Sequence, residues 1–433
     1  MHSGCMFFDG SIYAYHMHDY PVSPAASSGR DISRETYPVS EPLSPRTIEL
    51  VKATVPALEA RGLDIVREMY DRMFQDPEIR DLFNQSHQGL NDAQPRALTG
   101  AILAYASNID NVSALAPAVE RIAQKHVGLQ ILPEHYPHVA SALIGAIRHI
   151  LGDAATEEVL LAWGEAYWFL AGILIAREKR LYTAQAEAPG GWNGWRDFRI
   201  EEVVRESRVI KSFILRPVDG GPVMQHAPGQ YLTFWFDIPG HPAVKRNYSI
   251  SAAANGETYR ISVKREPMGL ASGWLHEQAV GSILKVGAPA GEFFLDGTPR
   301  RPVVLLSGGV GLTPLVAMLE SLVEAGAGVP IYYIHGTHDR DTHAMRGHID
   351  DLATRAPDVR VTNFHQTPLS DEVAGRDYDH AGLITEEWLV SNTPADVADY
   401  YVCGPRPFLR AAVAALAQAS ILDRKSGSAG MPR

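Results

Sequence analysis

The chain has 433 residues, of which 45% are hydrophobic and 21% charged, with a formal net charge of −11 and two cysteines. This length exceeds what one core supports, and the acidic balance argues against nucleic acid or an anionic membrane as the main partner. The cysteines, Cys5 and Cys403, are too few for a disulfide scaffold or a four-cysteine iron–sulfur cluster. Because neither a run of about 18 apolar residues nor a secretory signal is visible, we expect no integral membrane segment and a cytoplasmic protein.

The first part of the chain divides into an extension and a helical domain. Residues 1–43 are rich in Ser, Pro, Tyr and His without a sustained period, and are expected to be a disordered extension or translated sequence upstream of the real start. Ser44 then supplies a helix N-cap followed by Pro45 at the first helical position. Helical periodicity continues to about Leu181 without strands, which predicts a helix bundle or a globin over residues 44–187.

The next domain is predicted to be an antiparallel barrel over residues 188–299. The segment Ala188–Trp192 breaks the helical pattern, and short alternating runs follow at Tyr231–Phe236 and Tyr259–Lys264. Alternating strands separated by turn residues are typical of a small antiparallel barrel.

Residues 300–418 have a third type of hydrophobic pattern. Buried-type strands alternate there with helical stretches, which predicts a doubly wound parallel sheet. These strands are Pro302–Leu306, Pro330–Ile334, Val359–Val361 and Tyr400–Val402.

One histidine and one glutamate are placed to serve an iron site. His126 lies four residues after Ile122 on one helix face, and an apolar stripe on the helix predicted over 156–181 continues onto Glu178. A carboxylate on an apolar face is costly unless paired, and a haem-ligating histidine needs an acceptor for its second ring nitrogen. The alternatives are a structural histidine and a solvated glutamate at a frayed helix end.

Three further residues are candidates for a distal pocket. Gln94 and Leu98 are four apart with Pro95 opening a helix between them, so both could face one pocket. Tyr70 offers a hydroxyl donor of the kind that bound O2 needs, although a buried tyrosine is often a core residue.

The segment Arg246–Ser249 has the residue types of a flavin site. An aromatic ring can lie on the isoalloxazine, a hydroxyl can bond near the flavin N5, and an arginine can neutralise the pyrophosphate. The alternative is a chance match on an exposed strand. Pro228–Tyr231 before a strand and the glycine-rich helix start at Gly269–His276 support the flavin interpretation. The candidate flavin-binding residues are Tyr231, Arg246, Asn247, Tyr248, Ser249, Gly269 and Ser272.

The segment Ser307–Pro314 directly follows a predicted strand and permits close approach of a pyrophosphate to a helix N-terminus, although Pro314 replaces the third glycine of the usual fingerprint. A plain strand-to-helix turn is the alternative. This half resembles ferredoxin-reductase-like modules, in which Cys-Gly lies near the nicotinamide; the alternative for Cys403 is a small buried residue. The candidates are Gly308, Gly309, Val310, Gly311, Thr313, Pro314, Cys403, Gly404 and Pro405. The ribose preference stays open between NADH and NADPH.

From about Ser44 to about residue 417 the chain resembles the bacterial and fungal flavohaemoglobins. The helical segments that carry the resemblance are Val51–Pro56, Tyr70–Phe74, Leu82–Asn84, Ala104–Asn108 and Ala118–His126. It implies a haem b globin, an FAD barrel and an NAD(P)H-binding domain that together oxidise NO with O2 to nitrate. Residue by residue, it implies the following roles: His126 as the proximal iron ligand, Tyr136 and Glu178 as its hydrogen-bonded partners, Tyr70 and Gln94 facing O2, Leu98 shaping the distal pocket, and Phe83 packing on the porphyrin. We expect small-molecule partners only and a monomer.

The C-terminus departs from the family pattern. Flavohaemoglobins usually end in a short segment with an aromatic residue and Gly-Pro, whereas residues 419–433 contain no aromatic residue. Either the last strand is lost or the reading frame changes there. We expect reduced but not abolished hydride transfer, which grafting a family-type ending onto the chain would test.

The rival functions are an oxygen carrier or haem sensor, and a ferric, flavin or hydroperoxide reductase.

Overall fold

The computed structural model describes residues 2–6, 13–17, 42–82 and 93–416. The chain forms two compact units. The helical unit contains residues 32–195 and 233–246, and the sheet unit contains residues 1–31, 196–232 and 247–433.

The helices at the start of the helical unit confirm the all-α prediction for the first domain. Its first helix begins where the sequence predicts, since the Ser44 side chain accepts a hydrogen bond from Thr47 N at 3.0 Å and Pro45 takes the first position. The helices are α1 (Pro45–Ala53), α2 (Val55–Met73), α3 (Pro77–Leu82), α4 (Ala93–Ser107), α5 (Ala116–Leu129), α6 (Tyr136–Leu151) and α7 (Glu157–Glu187).

Helix α7 is long and apolar enough to cross a membrane by length and composition. One face of the helix nevertheless lies in the protein interior, where Trp163, Phe169 and Leu174 belong to the core of the helical unit. The stripe that the sequence predicts along this helix ends on a buried Glu178. Helix α7 is therefore a core helix that carries one buried carboxylate.

The second domain is a six-stranded antiparallel sheet, as predicted. The two runs predicted from alternation, Tyr231–Phe236 and Tyr259–Lys264, are strands with the same bounds. The strands are β3 (Arg196–Arg205), β4 (Ile210–Pro217), β5 (Tyr231–Phe236), β6 (Val244–Ser249), β7 (Tyr259–Lys264) and β8 (Ile283–Val286), in the order β6-β5-β8-β3-β4-β7, with helix α8 (Leu270–His276) after β7.

The third domain confirms the parallel, doubly wound prediction. Its core packs strand residues Val303 and Tyr333 against helix residues Leu315 and Leu319. The parallel strands are β9 (Val303–Gly308), β10 (Ile331–Thr337), β11 (Val359–His365), β12 (His380–Ala381) and β13 (Asp399–Gly404), in the order β13-β9-β10-β11-β12. The helices are α9 (Leu312–Ala325), α10 (Arg346–Arg355), α11 (Glu386–Asn392) and one over 406–416.

Two strands occur inside the segment 1–43 that the sequence predicts to be disordered. They are β1 (His2–Met6) and β2 (Tyr13–Met17), and β2 pairs antiparallel with β13. The prediction differs from the structure at these strands because an uncovered β13 would present a row of unpaired backbone groups, which any extended segment can pair.

The predicted domain boundaries fall between elements. Helix α7 ends at Glu187 and β3 begins at Arg196, on either side of the predicted start of the barrel domain. Strand β9 begins at Val303, shortly after the boundary predicted at residue 300. The tail predicted over 419–433 lies outside the described residues, and the boundaries themselves stay predictions.

Candidate cofactor sites

The structure brings His126, Tyr136 and Glu178 together from three helices of the helical unit. His126 Nδ1 lies 2.7 Å from Glu178 Oε1 and 3.1 Å from the Tyr136 hydroxyl, which itself donates to Glu178 Oε1 at 2.6 Å. A carboxylate only accepts hydrogen bonds, so His126 Nδ1 carries the proton and Nε2 is the nitrogen left to bind a metal. Burial and the Glu178 charge raise the pKa of Tyr136, so its hydroxyl stays a donor.

This proximal set fits a haem iron. Across the described ranges, no group of three His, Cys, Asp or Glu side chains is arranged to hold a bare metal ion. A single imidazole, oriented by a carboxylate that is 3% exposed, instead suits an iron whose other in-plane ligands come from a porphyrin. The donor chemistry of His126 therefore favours haem over a protein-only metal centre.

Tyr70 on α2 and Gln94 on α4 are joined by a side-chain hydrogen bond. Burial raises the pKa of Tyr70 to about 12, while the bond to Gln94 acts in the opposite direction, so the hydroxyl is a protonated donor at neutral pH. The Tyr70 ring stacks on Phe74 with centroids 5.3 Å apart, and Leu98 packs against the helical core. Phe83, assigned to the porphyrin by resemblance, lies outside the described residues.

Strand β6 is buried at its start and partly exposed along the rest of its length, which suits a flavin site. Val244 and Lys245 are buried, whereas the four residues from Arg246 to Ser249, including Asn247 and Tyr248, are partly exposed. Arg246 Nη1 donates to the carbonyl of Lys245 at 2.7 Å. The accessible half of the strand thus presents the guanidinium, ring and hydroxyl that a flavin requires.

The other three flavin candidates, Tyr231, Gly269 and Ser272, are engaged in local packing or hydrogen bonds. Tyr231 is 3% exposed, and a Cβ at Gly291 would lie 2.9 Å from its ring. Gly269 precedes α8 as predicted, but the Ser272 hydroxyl already accepts from Glu266 N at 3.1 Å. These residues shape the wall of the barrel at the proposed flavin site, and their direct contact with FAD remains a prediction.

Two glycines in the loop after β9 allow other groups to approach its backbone closely. Gly309 has φ +53° and open space where a side chain would stand. At Gly311 a Cβ would lie 2.2 Å from the carbonyl oxygen of Cys403, so the loop and the end of β13 are in backbone contact. Only glycine permits both features, the first by conformation and the second by size. The loop therefore fits a nucleotide pyrophosphate at its exposed residues.

The remaining nucleotide candidates divide by exposure. Gly308, Thr313, Pro314, Cys403 and Gly404 are buried, and the Thr313 hydroxyl donates to Val310 O at 3.1 Å. Val310 is partly exposed and Pro405 is exposed. The buried residues therefore fix the two turns, and the accessible ones are those that a bound nucleotide can reach.

A buried carboxylate that no sequence motif predicted joins the barrel to the nucleotide domain. Glu320 on α9 accepts from Ala253 N at 2.6 Å and contacts Arg260 Nη2 and His348 Nε2 at 2.5 Å each. Burial alone would raise the pKa of Glu320, but these partners outweigh it and lower the pKa. A glutamate on an apolar helix face was the available signal, as it was at Glu178.

A row of buried histidines was also missed. Glu372 accepts from His365 Nδ1, and His365 Nε2 lies 3.1 Å from His343 Nδ1. The His343 ring is 5.1 Å from that of His335, whose Nδ1 lies 2.8 Å from Ser307 Oγ at the start of the nucleotide loop. Burial lowers the pKa of both His335 and His343. The sequence gives no sign of this row because its members come from separate segments.

Two protein families match separate parts of the chain. A family described as "Globin" matches residues 67–174, and one described as "Oxidoreductase NAD-binding domain" matches residues 305–414. The chain is 53% identical over 384 residues to a flavohemoprotein of Xylella fastidiosa, covering 88% of this chain and 95% of the relative. A flavohemoprotein of Rhodopirellula baltica is 44% identical over 378 residues, with 85% and 92% covered.

A solved structure has a similar architecture over most of the chain. The flavohemoglobin from Malassezia yamatoensis, crystallised with bound FAD and heme, has a TM-score of 0.78 and 26% identity. The similarity covers 87% of this chain and 96% of that one. The shared architecture therefore extends over both the helical part and the reductase part of this chain.

Proposed function

The chain belongs to the flavohemoprotein family and is an NAD(P)H-dependent nitric oxide dioxygenase that uses haem and FAD, and we propose that the residues described above carry this activity. The observation that supports the proposal most strongly is the proximal set, in which Glu178 accepts from both His126 and Tyr136. Such a set is the arrangement that orients a histidine for binding a metal through its other ring nitrogen.

In the helical unit, each residue has a distinct task. His126 would hold the haem iron through Nε2, because its Nδ1 proton is engaged by Glu178. The Glu178 carboxylate would orient the imidazole and favour ferric iron, and the Tyr136 hydroxyl donates to that carboxylate. Tyr70 would offer its hydroxyl to O2, Gln94 would orient Tyr70 through their side-chain hydrogen bond, and Leu98 would restrict the pocket.

In the sheet domains, the tasks are binding and alignment. The partly exposed half of β6 would hold FAD through Arg246, Tyr248 and Ser249. The loop at Gly309 and Val310 would receive the pyrophosphate of NAD(P)H. Bound FAD and haem supply the hydride, electron and oxygen chemistry. The expected setting is a cytoplasmic monomer that meets NO and O2 as diffusing small molecules.

The test measures nitrate formed per NADH consumed when purified holoprotein receives NO in air. Conversion of one NO and one O2 to one nitrate takes one electron, and the hydride of one NADH carries two electrons. The expected yield is therefore about two nitrates per NADH. An oxygen carrier would consume no NADH catalytically, and a ferric or flavin reductase would consume NADH without nitrate. Either outcome would refute the dioxygenase assignment.

A pair of histidine variants locates the activity. His126→Ala should abolish nitrate formation while NADH-driven reduction of FAD continues, because only the iron site is removed. His149→Ala changes an exposed histidine of the same unit and should leave nitrate formation unchanged. Nitrate production by the His126→Ala protein would refute the role of His126.

A further inference from the structure

Lys245 is a buried lysine that neither the sequence analysis nor the family assignment explains. It is 4% exposed and lies on β6, immediately before Arg246. Its ammonium lies 5.0 Å from the ring centroid of Trp235 and 5.6 Å from that of Trp195. It also donates to the carbonyl oxygen of Leu129 at 3.3 Å. A lysine is rarely buried without a specific partner, so this arrangement calls for a function.

The carbonyl that Lys245 contacts belongs to the helix that carries His126. Leu129 is the last residue of α5, three residues after His126 and therefore about one turn away. Two other carbonyls of this turn are also paired: Gln130 Nε2 donates to Val127 O at 3.0 Å, and Ile131 N donates to His126 O at 2.8 Å. Lys245 adds a side-chain donor to the Leu129 carbonyl, at the negative end of the helix dipole.

The surroundings of Lys245 stabilise its charged form. Two indole faces and a helix carboxyl terminus all attract a cation. Trp195, Trp235, Leu129 and Lys245 belong to the same compact unit, so this cage is part of the helical unit itself. Because the ammonium is shielded from solvent, its field is screened less than that of a surface lysine.

We propose that Lys245 is a positioning and electrostatic residue for the haem: its ammonium holds the last turn of α5 and favours the ferrous state of the iron bound by His126. This inference rests on the assignment of His126 as the iron ligand. A buried positive charge at the end of the helix that carries His126 would stabilise the state of the iron with one more electron, so it would raise the reduction potential. The electron that reduced flavin gives up is accepted by ferric iron, and no bond or proton is exchanged in that step.

Lys245 and Glu178 therefore act on the iron in opposite directions. The Glu178 carboxylate favours ferric iron through His126 Nδ1. The Lys245 ammonium offsets that effect from the end of α5, so that transfer of an electron to iron stays favourable.

The experiment measures the haem reduction potential of the full-length holoprotein by a dithionite titration with redox mediators, followed in the haem absorption bands. Lys245→Gln keeps a donor for Leu129 O but removes the charge, Lys245→Met removes both, and Lys245→Arg keeps the charge. The matched control is Lys179→Met, because Lys179 is next to Glu178 but exposed. In the neutral variants, the equilibrium for transfer of an electron to the iron should shift about tenfold toward ferric iron, which is about 59 mV for one electron.

The variants separate the possible outcomes. A lowered haem potential in both Lys245→Gln and Lys245→Met, a near-parental potential in Lys245→Arg and a much smaller change in Lys179→Met support the proposal. A parental potential in a folded, haem-loaded Lys245→Gln protein overturns it, because the charge would then have no role. An equal shift in Lys179→Met also overturns it, since the effect would be one of net charge. If the parent binds no haem, the iron-site assignment fails instead.

Discussion

Oε1 of Glu178 lies 2.7 Å from Nδ1 of His126 and 2.6 Å from the hydroxyl oxygen of Tyr136, so one buried oxygen atom accepts from both donors. The arrangement fixes the histidine ring and places negative charge behind it. Removing this carboxylate would therefore leave both donors without their partner at once.

Replacing Glu178 with Ala should lower NO turnover about 10- to 100-fold. The change leaves the His126 and Tyr136 donors unsatisfied in a buried site and removes electron density from the iron. Resonance Raman spectroscopy of the ferrous protein should show a weaker iron–histidine stretch. Glu187→Gln, an exposed glutamate of the same helix, serves as the control. An unchanged stretching frequency in Glu178→Ala would contradict the proximal role.

Replacing Tyr70 with Phe should accelerate O2 dissociation about 10- to 100-fold and depress NO consumption, because a hydrogen bond to polarised O2 is lost. Stopped-flow displacement of O2 by CO measures the rate. Tyr105→Phe is the matched control, since the Tyr105 hydroxyl donates to Ala166 O at 2.7 Å and has only a structural role. Equal O2 dissociation rates in the parent and the Tyr70→Phe protein would remove Tyr70 from the mechanism.

Replacing Gly311 with Ala should impair NADH-driven flavin reduction and destabilise the nucleotide domain by about 1–3 kcal/mol. The added Cβ would lie 2.2 Å from Cys403 O and 2.7 Å from Gly404 Cα, which forces the two turns apart. Gly347→Ala, where a Cβ would meet no atom within 4 Å, is the control. Normal flavin reduction by the Gly311→Ala protein would show that the turns need not touch.

The nucleotide domain should lose stability on mild acidification because of its buried histidines. Burial lowers the pKa of His335 to about 3 and that of His343 well below its ordinary value. The native state therefore excludes protons that the unfolded state binds below about pH 6.5. The stability is complete above that pH and is lost as pH falls toward the native-state pKa, by up to about 1.4 kcal/mol per pH unit for each histidine.

Pulse proteolysis in urea, with the cleaved segments mapped, can follow this domain at about pH 7.5 and about pH 5.5. His335→Asn should reduce the pH dependence, whereas His338→Asn, at an exposed position shortly after it, should not. Identical pH dependence in the parent and His335→Asn proteins would show that His335 does not titrate on unfolding.

Local patterns in the sequence predicted the fold well because the relevant forces act locally. Alternation defined β5 and β7 with their observed bounds, and the capping chemistry of Ser44 and Pro45 marked the start of α1. The stripe on α7 placed Glu178 on the buried face, since residues four apart share one side of a helix.

Features made by distant segments were not predictable in this way. Lys245 meets Leu129, Trp195 and Trp235, and no spacing rule connects these positions. Pairing of β2 with β13 depends on an open sheet edge rather than on any pattern in the first residues. The sequence also did not show which motif residues are buried: Thr313 and Pro314 belong to the segment Ser307–Pro314, and both are buried.

The central claim is that His126 holds a haem iron that receives electrons from FAD in the same chain. An absorption spectrum of purified protein, before and after NADH addition without oxygen, tests it most directly. The account predicts haem and FAD in equal amounts, haem bands that convert to the ferrous form, and a His126→Gly protein that regains its haem absorption only when imidazole is added. A protein without haem, or one that keeps its haem equally well without the His126 side chain, would contradict it.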